Sequence, residues 1–498
     1  MTTSTRFHPP RPELRKLERL VTWTALQLGN GGCRRSVGAL LIWSLGWAQS
    51  ACGAFAPHAD QPPQETPPAE TRAHERSARW DSDLDLLRDV FLAADRSYTA
   101  ETRAIARLRL ESLRVRLPKL ADTEVVVELA RIAALAGNAH TRAYVLRNRG
   151  VWQRYPLRLW KFDDGWRVVA AQGIGQALVG GRLLRIGSRP IEEVAAAVRP
   201  LFAGNKSWAD YMATYTLSSP EALASAGVPI DGGRVLFEVE AADGATRKEQ
   251  LAPSPRARRD TPEESWWYLS PTHPASVGWT HALSPASLPE MLRGGGRWYR
   301  SLRCSGNVLY AQFTRAEDEP GQPTVAQWGE GLLAAVEARP PRFLVLDLRC
   351  NTGGDLEKAQ LMLQSLAKSE LGQAKGRIVV LSGVNTFSAG ITPLAYLRAR
   401  SSAVVMGRAP GDEPDFWAEG GNVELPHSRT ILHFADRLHA YSDRPVPPGV
   451  QEFLSLGIDV RDLKPDRQVQ WLWSEYIQGI DPDVEAAIDE PLRCEGSS

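Results

Sequence analysis

Apolar runs in the C-terminal half constrain the fold more than any other feature of the sequence. They read "RFLVLDLR", "RIVVLSG" and "AVVMG", and they alternate with segments of helical periodicity such as "TVAQWGEGLLAAVEA" and "LEKAQLMLQSLAKS". Strands that are apolar throughout and alternate with helices are typical of a parallel sheet covered on both faces. The sequence therefore predicts an α/β fold whose core, over residues 296–490, is a largely parallel sheet.

Two polar motifs, "RCNTGGD" and "VNTFSAG", follow strands of this predicted sheet. In such sheets functional groups collect at the carboxyl ends of the strands. Ser388 lies where free helix N–H groups can stabilise an oxyanion, although a serine that only caps the helix suits the same position. The pair Gly353–Gly354 lets backbone N–H groups turn into a cavity, although a plain glycine turn has the same composition.

The residues before the core fall into segments that differ in residue pattern and composition. Residues 79–150 carry apolar residues at helical spacing, with Ser82 or Asp83 as a helix cap, and predict a helical subdomain. Residues 151–256 hold short strands and a strand–turn–helix unit that resembles part of a PDZ-like module. Residues 257–295 indicate an irregular connector, and residues 491–498 a tail.

The N-terminus has the pattern of a targeting segment. Two arginines precede an apolar core too short to span a bilayer, and a small-x-small pattern ends at Ala56. Residues 1–56 therefore predict export to the periplasm or the outside of the cell, with lipidation at Cys52 and a membrane anchor left open. Residues 57–78 are proline-rich and polar, which predicts a disordered linker.

Composition and charge exclude several classes of function. The net charge is +1, from 59 basic and 58 acidic residues, so no nucleic-acid partner is expected. The five cysteines form no CxxC pair and no Cys/His spacing, so neither a metal site nor a cofactor is expected. A Cys304–Cys494 disulfide would suit an oxidising compartment, and Cys350 is expected to be a packed thiol.

The two polar motifs, in this order, carry a family resemblance. "VLDLRCNTGGD" followed by "VVLSGVNTFSAG", with "LYAQF" before them and "VMGRAPGD" after them, resembles the C-terminal processing and tricorn-type serine peptidases. "LARIAALAGNAHTRAYV" is similar to the segment that supplies a histidine base in the tricorn-like, retinoid-binding-protein-like branch. The resemblance covers roughly residues 80–490. It implies a crotonase-like core, a peptidase activity, a polypeptide substrate and tail presentation by the PDZ-like region.

The resemblance also assigns roles to residues. It implies that Ser388 is the nucleophile, that His140 is the general base, and that the backbone N–H groups of Gly353 and Ala389 hold the oxyanion. An imidazole suits the role of base because it titrates near neutral pH. Another branch of the family pairs its serine with a lysine, but Asp412 stands at that position here, so a serine–lysine dyad is not expected.

Departures from the family pattern leave an alternative open. The serine that precedes the histidine in tricorn-like enzymes is Ala139 here. By offset from Pro465–Asp466, Asp459 is the match for the orienting glutamate and the predicted third catalytic residue. Since the set is incomplete, the alternative is an inactive member of the family that binds peptide tails or apolar ligands.

Overall fold

The alternation of strands and helices extends through a computed structural model that describes residues 69–258, 265–488 and 492–494. The helices are α1 (Ala69–Leu86), α2 (Leu92–Ala94), α3 (Ala100–Arg116), α4 (Asp122–Ala134), α5 (Ile191–Val198), α6 (Lys206–Thr216), α7 (Pro220–Ser225), α8 (Glu290–Arg293), α9 (Val325–Ala338), α10 (Gln360–Lys368), α11 (Glu370–Gln373), α12 (Thr392–Arg400), α13 (Trp473–Tyr476) and α14 (Pro482–Ile488). The strands are β1 (Arg142–Ala143), β2 (Leu157–Phe162), β3 (Gly165–Ala171), β4 (Arg182–Ile186), β5 (Arg189–Pro190), β6 (Val235–Glu240), β7 (Thr246–Leu251), β8 (Thr280–His281), β9 (Tyr299–Cys304), β10 (Val308–Phe313), β11 (Phe343–Asp347), β12 (Ile378–Ser382), β13 (Val404–Gly407), β14 (Asp415–Ala418), β15 (Gly421–Glu424), β16 (Ile431–Phe434), β17 (Arg437–Ser442), β18 (Leu454–Val460) and β19 (Arg467–Gln468).

The apolar runs of the C-terminal half form one six-stranded sheet in the order β19-β13-β12-β11-β10-β9. Its neighbouring strands pair in parallel, except for the antiparallel pair of β9 and β10 at one edge. Strand β12 is buried along its whole length, as expected for a strand covered on both faces. The parallel sheet that the apolar runs predict is present in this part of the chain.

The other sheets are mostly antiparallel, and two of them include strands β14 to β18 from residues 296–490, so the prediction of a largely parallel core holds for only part of that region. Strands β2, β3, β4, β6 and β7 pair antiparallel in one sheet, and β1, β16 and β15 do so in another. Strand β6 alternates buried and half-buried residues, which is the pattern of a sheet with one covered face. The α/β class is confirmed, whereas the crotonase-like core and the PDZ-like module stay predictions.

The first described helix corrects the predicted linker. Helix α1 begins at Ala69, so the prediction of a disordered linker over residues 57–78 is wrong from that residue onward. The prolines end at Pro68, and the residues that follow are mainly Ala, Glu and Arg, which favour helix. The earlier part of the linker and the targeting segment lie outside the described residues. Within the described ranges, no helix is long and apolar enough to cross a membrane.

Asp83 lies inside helix α1 and does not cap it, which corrects the predicted cap at Ser82 or Asp83. Its buried carboxylate instead accepts hydrogen bonds from the backbone N–H groups of His427 (2.9 Å) and Ser428 (2.8 Å). Bonds from backbone donors to a buried carboxylate are charge-assisted and strong. They fasten the N-terminal helices to the turn between β15 and β16.

Three cysteines lie within the described residues, and two of them form the disulfide bond that the sequence left open. Cys304, at the end of β9, forms a disulfide bond with Cys494 across a sequence separation of 190 residues. Cys350 is free and buried, and burial raises the pKa of its thiol far above the ordinary value. A buried thiol held in its neutral form is a packing group rather than a nucleophile.

A buried ion network fixes the carboxyl end of β11. The Arg349 guanidinium contacts the carboxylates of Asp347 (2.6 Å), Asp481 (2.5 Å) and Asp483 (3.0 Å), and all four side chains are buried. The hydroxyl of Tyr310 donates to Asp347 at 2.6 Å. The network joins the strand end that leads into "CNTGGD" to the start of α14. It therefore holds the position of the loop that carries Gly353.

Replacing Arg349 with Met should lower the free energy of unfolding by about 3–5 kcal/mol, because it leaves buried carboxylates without their partner. Urea denaturation followed by far-UV circular dichroism measures the change. The control is Arg88→Gln, since Arg88 pairs with Asp85 and Asp89 on the surface and its loss should leave the midpoint unchanged. Equal midpoints for Arg349→Met and the unmodified protein would contradict the structural role of the network.

Candidate active site

Ser388 lies in a strained turn between β12 and α12. Its φ is +57°, in the left-handed region that residues other than glycine rarely adopt. Such strain persists only where neighbouring contacts hold the backbone, and it is concentrated at functional sites. Here the N–H of the preceding residue, Phe387, donates to the Asn351 carbonyl at 2.8 Å, and the Thr386 hydroxyl donates to the Leu348 carbonyl at 2.7 Å.

The helix-cap interpretation of Ser388 finds no support in its contacts. The 3₁₀ turn Ser388–Gly390 and helix α12 both begin without a side-chain cap hydrogen bond. The half-buried Ser388 side chain lines a cavity of about 400 Å³ instead. The same cavity is lined by His140, Gly353 and Ala389, so four of the predicted site residues come together although up to about 250 residues separate them in the sequence.

Gly353 packs directly against the serine. Its φ is +104°, and a Cβ atom at this position would lie 2.7 Å from Ser388 Cβ and 3.1 Å from Ser388 Oγ. The Ala389 nitrogen is 3.3 Å from the same point. Only glycine allows this approach, because of both its φ and the space.

One of the predicted oxyanion donors already has an acceptor. The Gly353 N–H donates to the Asn351 side-chain oxygen at 3.0 Å. Asn351 is itself buried, and its amide nitrogen donates to the Phe313 carbonyl at 3.0 Å. An oxyanion bound to Gly353 would therefore replace or share the Asn351 oxygen as acceptor.

His140 faces a carboxyl group that the sequence did not assign to the site. His140 is 5% exposed and Asp412 is 6% exposed, and His140 Nδ1 lies 3.6 Å from Asp412 Oδ2. Within the described part of the chain, neither ring nitrogen has a hydrogen bond, and Asp412 Oδ2 has none either. The other Asp412 oxygen accepts from the Glu413 N–H at 3.2 Å. Asp412 is thus placed to be the partner of His140.

The loop after β13 turns back toward the serine turn and so brings Asp412 to His140. The residues around Asp412 give little indication of this turn. The Gly411 N–H donates to the Thr386 carbonyl at 2.8 Å, and a Cβ atom on Gly411 would lie 2.6 Å from the Val384 carbonyl oxygen. Glycine is needed for so close an approach of two backbones. Two signals in the sequence nevertheless indicate that the loop can return to the serine turn: the glycine before Asp412, and the match of Asp412 to the lysine position of the other branch of the family.

Burial dominates the electrostatics of the pair. Loss of water lowers the pKa of His140 well below its ordinary value of 6.5, and the positive charge of Arg142 lowers it further. Burial likewise raises the pKa of Asp412 well above 3.8, against the effect of the nearby Glu413 and Ser388 backbone N–H groups. Desolvation opposes charge on either group alone. A proton gained by His140 is therefore tolerated mainly because the Asp412 carboxyl is adjacent.

His140 is the middle ring of a stacked column. In order, the rings are Trp208, Phe387, His140, Phe416 and His439, with centroid separations of 3.9, 4.5, 5.3 and 4.7 Å. The interplanar angles are 21° or less. Parallel aromatic contacts of this kind each stabilise by about 0.5–1.5 kcal/mol. The column fixes the plane of the imidazole in a site where its nitrogens have no hydrogen bonds.

The far end of the column carries a second histidine–carboxylate pair. His439 Nε2 lies 2.9 Å from the Glu419 carboxylate, and His439 Nδ1 lies 3.1 Å from the Tyr441 hydroxyl. Glu419 has a φ of +48° and lines the same cavity as Ser388. Because both ring nitrogens of His439 are engaged, this histidine is a structural end of the column and not a free base.

The predicted third residue lies elsewhere. Asp459 is an exposed residue of strand β18 with a φ of +75°, and it does not line the cavity. Ala139, at the position of the family serine, packs closely on Gly204, where a Cβ atom would lie 2.8 Å from Ala139 Cβ. Among the described residues, no group of three or more His, Cys, Asp or Glu side chains is arranged to hold a metal ion.

Comparisons with known proteins support the fold. No family model matches the sequence, and no curated protein matches it. Among solved structures, mature CPAF complexed with lactacystin is similar, with a TM-score of 0.52 and 13% identity over 84% of this chain and 97% of that one. This chain has the fold of CPAF.

Two further solved structures are similar at lower TM-scores. The photosystem II D1 C-terminal processing protease has a TM-score of 0.34 and 14% identity, over 83% of this chain and 96% of that one. The tricorn protease has a TM-score of 0.33 and 13% identity, over 84% of this chain and 36% of that one.

Gly353→Ala should suppress the reactivity of Ser388, because the new methyl group would occupy the space of the serine side chain. We expect labelling by a fluorophosphonate probe to slow by at least about tenfold, since a displacement of about 1 Å at a reacting group has large effects. The control is Gly331→Ala in helix α9, where a Cβ atom meets nothing within 4 Å. Unchanged labelling of a folded Gly353→Ala protein would disprove this packing.

Proposed function

We propose that this chain is a serine endopeptidase that hydrolyses peptide bonds in polypeptide substrates. The observation that carries the proposal is the meeting of Ser388, in its strained turn, with His140 in one cavity, where Asp412 Oδ2 lies 3.6 Å from His140 Nδ1. A nucleophile, a base and a group that orients the base are the parts that acyl transfer requires. The CPAF fold and the two family motifs support the same function.

In the proposed reaction, Ser388 Oγ attacks the carbonyl carbon of the scissile peptide bond. His140 accepts the serine proton and returns it to the leaving amine, so that an acyl-enzyme forms and the C-terminal product leaves. A water molecule then attacks the ester, with His140 again as base, and Ser388 is restored. The tetrahedral intermediate of each step carries an oxyanion.

Asp412 takes the orienting role in this proposal, in place of Asp459. Its Oδ2 atom faces His140 Nδ1, so the other ring nitrogen is left for the serine. A carboxylate 3.6 Å from a newly formed imidazolium stabilises that charge in a site with little water. Burial of both groups strengthens their attraction and makes the imidazolium depend on Asp412.

The Ala389 and Gly353 N–H groups form the proposed oxyanion hole. Donors fixed in place before the reaction stabilise the transition state without reorganisation. Ala389 follows the nucleophile directly, and Gly353 lies against it, so both donors belong to segments that touch Ser388. In this proposal Asn351 holds the Gly353 N–H in place until the oxyanion forms.

The proposal includes export, with action in the periplasm or outside the cell. The Cys304–Cys494 disulfide supports an oxidising compartment. The N-terminal sequence pattern supports a targeting segment, and a membrane contact is proposed only through that segment. The competing function, an inactive protein that binds peptide tails or apolar ligands, predicts no labelling of Ser388 by a fluorophosphonate in well-folded protein.

Replacing each member of the catalytic set should abolish or sharply reduce peptide hydrolysis. We expect Ser388→Ala and His140→Gln to remove measurable cleavage of an unstructured test peptide, and Asp412→Asn to lower kcat by about a hundredfold or more. Initial rates with a fluorogenic peptide measure the effect. The control is Glu413→Gln, which removes the exposed neighbouring carboxylate and should keep the original rate.

Equal rates for Asp412→Asn and the Glu413→Gln control would remove Asp412 from the mechanism while leaving Ser388 and His140 in it. Retention of the original rate by Ser388→Ala would overturn the proposed function itself. Thermal unfolding of each variant shows whether a lost rate reflects chemistry or folding.

The pH profile should reflect the buried base. His140 works in its neutral form, and burial lowers its pKa well below 6.5, so the neutral form persists into mildly acidic solution. We expect kcat/KM for a peptide without ionisable side chains to stay near its maximum from about pH 8 to 6.5 and to fall only at lower pH. Burial also lowers the pKa of His433 in the same cavity, to about 3, so His433 should add no step near neutrality. A half-maximal point at or above pH 6.5 in the Asp412→Asn protein would contradict this assignment, whereas in the unmodified protein such a step would also follow from protonation of Asp412, whose pKa burial raises.

A further inference from the structure

Arg142 is a charged residue of the cavity that the proposed mechanism does not use. It lies in β1, two residues after His140, and its half-buried side chain lines the cavity. Its guanidinium carbon is 5.5 Å from the Phe387 ring centre and 5.7 Å from that of Trp208. Since Phe387 is the neighbour of Ser388, the positive charge lies close to where a scissile bond would be.

The surroundings of Arg142 orient its guanidinium without neutralising it. A third ring, Tyr144, lies 5.3 Å from the guanidinium carbon, and the Nη1 atom donates to the Ala139 carbonyl at 2.9 Å. Within the described ranges, Arg142 forms no ion pair with a carboxylate. Contacts with aromatic faces and with one carbonyl use only some of the N–H donors of a guanidinium. The remaining donors can bind another acceptor.

Two ion pairs account for both acidic residues of the cavity, while a third cavity arginine, Arg147, lies over the Tyr144 ring at 4.8 Å. Arg315 contacts Glu317 at 3.1 Å, and Glu419 contacts His439 at 2.9 Å. Both acidic residues that line the cavity are therefore engaged, and neither faces Arg142 in an ion pair. Burial is the main cause of the lowered pKa values of His140 and His433. The positive charge of Arg142 is the second cause for both groups.

We propose that Arg142 binds a carboxylate of the substrate beside the scissile bond, so that the cavity selects acidic polypeptide segments. This inference rests on the proposed peptidase function and names the substrate class for the same cavity. An arginine held by aromatic rings in a partly buried site binds carboxylates through two parallel N–H donors. A substrate carboxylate would supply the counter-charge that the chain does not provide.

The carboxylate has two chemical sources in a polypeptide: an Asp or Glu side chain, or the free C-terminus. Both would present the same pair of oxygens to the guanidinium. The volume of the cavity, about 400 Å³, is compatible with either source. The test therefore separates them by varying one at a time.

The test measures the binding of fluorescein-labelled decapeptides to Ser388→Ala protein by fluorescence anisotropy, so that it does not depend on turnover. Matched peptides carry Asp or Asn at one scanned position, each with a free or an amidated C-terminus. We expect one carboxylate to tighten binding by about tenfold to a hundredfold, the range of a charge-assisted hydrogen bond. The position of the effect identifies the source.

Two second-site variants assign the effect to Arg142. In the Ser388→Ala background, Arg142→Gln should remove the preference for the carboxylate, and Arg142→Glu should shift it toward a Lys-containing peptide. Arg315→Gln is the matched control, because it removes a cavity arginine that already has a partner, and the preference should persist. Circular dichroism confirms that each variant is folded.

Equal affinity for the acidic and amide peptides, or no binding of either, would overturn the inference, as would a preference that survives Arg142→Gln. The proposed function is tested separately by fluorophosphonate labelling of protein that retains Ser388. Labelling together with equal affinities would reject the role of Arg142 alone, whereas absence of labelling together with an Arg142-dependent preference would reject only the catalysis.

Discussion

The stacking of His140 between Phe387 and Phe416 is the contact on which the rest of the site depends. The ring has no hydrogen bond within the described part of the chain, so the two aromatic faces and the adjacent Asp412 decide its plane. Phe387 is bonded directly to Ser388. The peptide that carries the nucleophile therefore also positions the base, and a shift of one would be transmitted to the other.

The same burial makes the site dependent on charges outside the proposed catalytic set. Without water, a proton on His140 must be stabilised by Asp412, while Arg142 opposes it. A substrate carboxylate on Arg142 would reduce that opposition at the moment when the imidazolium forms. The proposed preference for acidic segments would therefore affect kcat as well as KM. The reason is that the carboxylate that binds Arg142 also changes the electrostatic potential at His140 during proton transfer.

Several features could be predicted from the sequence because they are local. The glycine pair and the serine turn follow apolar strands, and the carboxyl ends of parallel strands meet at one sheet edge, which brings Gly353 to Ser388. The place of Asp412 was not predicted, because it depends on the close approach of Gly411 to the serine turn. The offset from Pro465–Asp466 predicts Asp459, but an offset along a loop does not fix a position in space, and the structure places Asp459 as an exposed residue of strand β18.

The absence of the family serine before His140 does not by itself leave the proposed site incomplete. Ala139 packs on Gly204 with little space between them, and its methyl group offers no hydrogen bond to His140. The orientation of His140 instead comes from its ring contacts on two sides and from the carboxyl group at Nδ1. In the proposed mechanism a general base needs a fixed orientation and a partner for its charge, and residues that lie far from Ala139 in the sequence would supply both.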